Sequence, residues 1–114
     1  MAGGYILPEI SESNLTPIFV RSELLRCMEI TYSNLLDIMN LDLEEAVIKD
    51  RVLRFVTMIF QDCDVSFDQP TKEGLFRTIE ECKKRAELMM GPVGREVIDS
   101  LSQQMVKLVE KIPD

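Results

Sequence analysis

From Thr16 onward the apolar residues recur every three or four positions, in four separate runs. In the first run Leu25, Met28, Tyr32, Leu35 and Met39 fall on one face of a helix, and Leu24 and Leu36 broaden that face. The second run places Val52, Phe55, Val56, Ile59 and Cys63 inward. The third does the same with Leu75, Ile79, Cys82, Ala86 and Met89. The fourth is a clean stripe of Ile98, Leu101, Met105, Leu108 and Ile112, with Gln103, Gln104 and Lys107 on the opposite side. Strand-like alternation is confined to Val65-Ser66-Phe67, too short to pair with anything.

The residues between the runs punctuate them. Thr16-Pro17 reads as an N-cap followed by Pro at the first helical position, where its missing N–H costs nothing. The first helix is predicted from Pro17 to Asn40, broken by Asn40-Leu41-Asp42. Asp42 with Glu45 fits a capping box and opens a second helix over Leu43 to Asp62. A third starts near Pro70 or Thr71 and stops at Gly91-Pro92; a fourth runs from Val93 to Ile112. On the third, Glu73/Arg77, Glu80/Lys84 and Glu81/Arg85 stand four apart with the acid first, each pair adding roughly 0.2–0.5 kcal/mol. The expected fold is all-α: an antiparallel four-helix bundle over residues 16–114, with an extended N-terminal arm over residues 1–15. Pro8 disfavours helix at Leu7, and the arm is expected to be either a flexible tail or a docking segment that uses Tyr5, Ile6 and Leu7.

The pattern contains more apolar residues than one bundle core needs. Phe19, Val20, Ile30, Ile38, Leu41, Leu53, Met58 and Phe60 lie off the main inner stripes. From Val52 to Phe60 only Arg54 and Thr57 are not apolar, so the second helix is expected to be central or to form part of a subunit interface. Contiguous apolar surface marks interfaces. Phe19, Ile30, Ile38, Leu53, Met58 and Phe60 are therefore the candidate interface residues.

Charge and residue types narrow the chemistry. Asp and Glu number 20 against 13 Lys and Arg, a net charge of −7, which argues against nucleic acid as a partner. Lys83-Lys84-Arg85 follows Glu80-Glu81, which cancels its field locally. The chain has no His, which removes the commonest general base and metal ligand. Cys27, Cys63 and Cys82 are odd in number and widely spaced, as expected of reduced thiols in a cytoplasmic protein. No apolar run approaches the length of a membrane span or a secretory leader, so no membrane partner is expected.

One stretch carries a metal-like pattern. In DCDVSFDQPTKE, Asp62, Asp64, Ser66 and Glu73 occupy positions one, three, five and twelve of a calcium loop, and over these twelve residues the stretch resembles an EF-hand loop. Phe67 stands at position six, where the turn needs Gly. The competing expectation is an interhelix bend with Asp68 or Thr71 as the next cap. In size the chain also resembles the all-helical nucleotide pyrophosphohydrolases of the MazG type, whose resemblance implies magnesium held by an ExxE pair and a later ExxD. Glu96-Val97-Ile98-Asp99 is an ExxD, but Glu80 and Glu81 meet Lys83 and Lys84 where the partner acids should be. The sequence thus predicts a non-catalytic helical bundle acting through protein–protein interaction as a small adaptor, chaperone or regulator, in the form of a homodimer and with no cofactor. Calcium binding through Asp62–Glu73 is the first alternative, and magnesium-dependent nucleotide hydrolysis the second.

Overall fold

A computed structural model describes residues 15–113, apart from the side chains of residues 89–94 and 97. The arm over residues 1–14 lies outside the described residues. Its last expected residue, Leu15, is buried in the core. The described backbone is helical, without strands, in three continuous stretches: α1 (Pro17–Ile38), α2 (Glu45–Asp62) and α3 (Lys72–Glu110).

The start of α1 follows the sequence. Thr16 is the N-cap, its hydroxyl accepting from the Phe19 N–H at 3.1 Å, and Pro17 opens the helix. α1 ends two residues earlier than expected, in a Schellman turn. Asn40 takes the left-handed conformation with φ 58°, its N–H donates to the Asp37 carbonyl, and the Leu41 N–H donates to that of Leu36. α2 begins at Glu45, without the Asp42 capping box; its N-cap is Glu44 and makes no side-chain bond there. α2 ends in the same way as α1. Asp64 has φ 57°, and the Asp64 and Val65 N–H groups donate to the Gln61 and Phe60 carbonyls.

Gly91-Pro92 does not interrupt the helical backbone of α3. It marks where α3 folds back. A straight helix of 39 residues would be about 58 Å long, yet the whole molecule measures 43 Å along its longest axis. Three contacts locate the bend. Glu87 pairs with Arg95 at 3.4 Å, Lys83 with Asp99 at 3.6 Å, and Lys72 Nζ reaches the Glu110 carbonyl at 3.4 Å. Each pair is centred on residue 91. Pro lacks the N–H that would continue the ladder there, and Gly carries no Cβ to resist close approach. The fold therefore has four helical limbs.

The core lies between α1, α2 and both limbs of α3, which pack against one another. Ile98, Leu101, Met105, Leu108 and Ile112 are all buried, as their stripe predicts, and Leu75, Ile79, Cys82 and Ala86 belong to the same core. On α1 the buried face is rotated from the expected one. Val20, Leu24, Cys27, Met28, Thr31, Leu35 and Leu36 are buried, Leu25 and Tyr32 are half-buried, and Met39 is exposed. Thr31 enters the core because its hydroxyl donates to the Cys27 carbonyl at 2.8 Å, which satisfies its polar group within the helix. Thr78 does the same with the Gly74 carbonyl at 2.8 Å.

Candidate interaction surface

The Asp62–Glu73 stretch joins α2 to α3, and its oxygens have local uses. Asp62 accepts from the Arg85 guanidinium at 2.7 Å, and this hydrogen bond raises the Arg85 pKa further. Asp64 is the left-handed residue of the Schellman turn. The Ser66 hydroxyl accepts from the Gln69 N–H at 3.1 Å, and Thr71 caps α3 by accepting from the Gly74 N–H at 3.0 Å. Glu73 is exposed in the first turn of α3, where the helix dipole favours an acid. Among the described residues no group of three or more acids or thiols is gathered so that it could hold a metal. Asp62, Asp64, Ser66 and Glu73 are thus not brought together.

What the loop does hold is an aromatic anchor. Phe67 packs edge-on against buried Phe60 with ring centroids 5.2 Å apart. From α1, Arg21 lays its guanidinium over the Phe67 ring, 4.6 Å from the centroid, and also donates to the Phe67 carbonyl. Phe67 occupies the position where a calcium loop turns on Gly, and here it closes one end of the core.

The magnesium candidates are placed differently. Asp99 is engaged by Lys83, Glu96 is exposed, and Glu80 lines the same shallow groove as Asp99. A lysine thus stands where a second metal-binding acid would be needed. The two buried thiols are not activated. Burial pushes Cys27 and Cys82 up to about 12, with Glu23 adding to the rise at Cys27. Cys63 is half-buried.

The six candidate interface residues do not form one patch. Phe60 is fully buried in the chain's own core, and Phe19 packs against that core. Ile30 lines a groove with Ser33, Asn34 and Leu43. Ile38 is exposed at the end of α1, beside Met39 and Leu41. On α2, whose buried stripe is Ile48, Val52, Val56, Ile59 and Phe60, Leu53 and Met58 emerge on opposite sides, about 140° apart at 100° per residue. Ile38, Met39, Leu41, Leu53 and Met58 account for five of the seven large apolar residues exposed among the described ones; Ile18 and Leu88 are the others.

Met58 belongs to a second, apolar groove between α1 and α2, about 370 Å³ in volume and lined by Met28, Tyr32, Arg51, Val52, Arg54, Phe55 and Met58. Tyr32 and Phe55 look like inner-stripe residues in the sequence. Their half-burial at the stripe edges makes them groove walls instead. The signal was Phe55 standing one turn before off-stripe Met58 on the same helix.

Among the described residues no helix is long and apolar enough to cross a membrane. Compared with known proteins, the chain matches no family model, no curated protein and no solved structure.

Proposed function

We propose that this protein is a non-catalytic interaction module, an antiparallel four-helix bundle with an N-terminal arm, whose partner is a second copy of itself. The observation that carries the reading is the exposure of large apolar side chains at the end of α1, in the turn after it and on α2. Ile38 ends α1, Met39 and Leu41 follow it in the turn, and Leu53 lies on α2; all four are between 44% and 56% exposed. Removing such side chains from water yields roughly 25 cal/mol per Å² of apolar surface, and a monomer leaves that stabilisation unused. The Schellman turn supports the reading. It fixes Met39 and Leu41 on either side of Asn40, so a partner meets a preformed surface.

We read the role as that of a small adaptor, chaperone or regulator, supported by the exposed apolar residues at the end of α1, in the turn and on α2. Native mass spectrometry and light scattering of the parent and of Leu41→Asp combined with Leu53→Asp provide the test. The expected result is a dimer that becomes a monomer with unchanged helical circular dichroism. A parent that stays monomeric at about 100 μM, far above the range of specific interfaces, sinks the self-association reading.

A further inference from the structure

The groove between α1 and α2 joins an apolar trough to a cation. Met28 and Val52 are buried beneath it, half-buried Tyr32 and Phe55 wall it, and Met58 stands exposed at one end. Arg51 lies two turns back along α2, and its guanidinium donates to the Tyr32 hydroxyl at 3.1 Å. That bond uses one of five N–H donors. Arg51 makes no ion pair among the described residues, whereas Arg54, one turn on, is held by Asp50 at 3.0 Å. In a chain of net charge −7, an arginine without a carboxylate beside apolar surface is complementary to an anion. A guanidinium takes a carboxylate through two parallel hydrogen bonds.

Size decides between kinds of occupant. The groove holds about 370 Å³ and is lined by seven residues. A stable protein interface engages about 20–30 residues a side, while small-molecule sites run from about 300 to 1,000 Å³. The groove falls short of the first and within the second. Its length is set by α2. From Arg51 to Met58 the helix rises about 10 Å at 1.5 Å per residue. The Met28 and Met58 thioethers at the two sides adapt to a flexible chain.

We propose that this groove binds a free monocarboxylate with an unbranched hydrocarbon chain about 10 Å long, its carboxylate at Arg51 and its chain running over Phe55 to Met58. This goes beyond self-association and does not depend on it, since the dimer face uses Leu41 and Leu53, neither of which lines the groove.

The test is a titration of octanoate into the full chain, followed by methyl NMR at the methionines. The Met28 and Met58 signals should shift to saturation with a Kd of about 1 mM or below, while buried Met105 stays in place. 1-Octanol has the same length without the charge and should bind about tenfold more weakly. Butyrate is too short to reach Met58 from Arg51 and should leave its signal in place. Arg51→Gln changes an exposed side chain, and should bring octanoate down to the level of octanol while octanol binding is unaltered. The proposal is overturned if octanoate gives no saturable shift by about 10 mM, or if Arg51→Gln binds it as the parent does. Octanol binding as tightly as octanoate fits an apolar protein contact instead, and also overturns it. Dilution of the parent without ligand separates this site from the dimer, because Met39 reports the dimer face and Met58 the groove. A Met58 signal that holds still on dilution supports an open groove, whatever Met39 does. A Met58 signal that moves puts a second copy in the groove and overturns the ligand site.

Discussion

Gly74 stands in the first turn of α3 because the loop runs directly over it. A Cβ there would overlap the Val65 side chain and meet the Thr71 hydroxyl at 3.1 Å. Thr71 is the N-cap and has little room to yield. Gly74→Ala should therefore destabilise the protein by about 1–3 kcal/mol despite the better helix propensity of Ala, read by urea unfolding. In a Val65→Ala background the same substitution should cost markedly less, a coupling of the kind a double-mutant cycle measures. The thiols supply a second residue-scale expectation. Cys27 and Cys82 are raised from 9.0 to about 12 in the folded state. A raised folded pKa means that the stabilisation is complete below the unfolded value and is lost as pH climbs toward the folded one. Stability should thus fall between pH 9 and pH 12, by at most about 1.4 kcal/mol per pH unit for each thiol. Urea midpoints at about pH 8 and pH 10 check this, and Cys82→Ala should flatten the slope. A thiol reagent should modify Cys63 first in the native protein, because it is the only one of the three not buried.

At the level of the helices, both α1 and α2 end on a left-handed residue that is not Gly. Asn and Asp tolerate that conformation better than most residues, but Gly tolerates it best. Asn40→Gly and Asp64→Gly should each stabilise by about 0.5–1 kcal/mol and raise the melting temperature by a few degrees. Differential scanning calorimetry measures it. Asp64→Gly is the more informative variant, since it removes a carboxylate from the calcium-like pattern and is still expected to stabilise. These turns explain what the sequence showed and what it hid. Helix existence was legible from apolar period, Thr16 was legible as a cap, and Thr71 as one of two candidates with Asp68. The Schellman turns were not, because neither Asn40 nor Asp64 is the Gly that usually marks one, and in Asp64 the same residue type also suggests a metal ligand. The α1 face was displaced because Thr31 hides its hydroxyl in its own helix, so a polar letter occupied a core position. Met39 fitted the stripe by spacing alone, but α1 ends before it.

For the whole molecule, the four apolar runs specified four limbs, while continuity between the last two depended on how the backbone passes Gly91-Pro92. Surplus apolar residues were visible as a set, yet their division was not. Phe60 goes to the core, Met58 to a groove, and Leu41 and Leu53 to the open surface. That sorting depends on helix orientation to within one residue's rotation, which periodicity does not resolve. Net charge has its own consequence for self-association. Two copies each at −7 repel one another, and screening shortens that repulsion to about 3 Å at 1 M salt from about 10 Å at 0.1 M. The proposed dimer should therefore tighten as salt rises, the opposite of an assembly held by ion pairs. Sedimentation at two salt concentrations distinguishes these behaviours.

The mirror symmetry of contacts about residue 91 sets where the chain tolerates changes in length. Glu87–Arg95, Lys83–Asp99 and Lys72–Glu110 are all counted outward from the bend. A residue added at the bend leaves every rung of this ladder in register and alters only the connection. A residue added within either limb turns everything beyond it by about 100°, swinging Ile98, Leu101 and Met105, or Leu75 and Ile79, out of the core. Length variants of this protein should therefore survive at residue 91 and be lost in the limbs on either side.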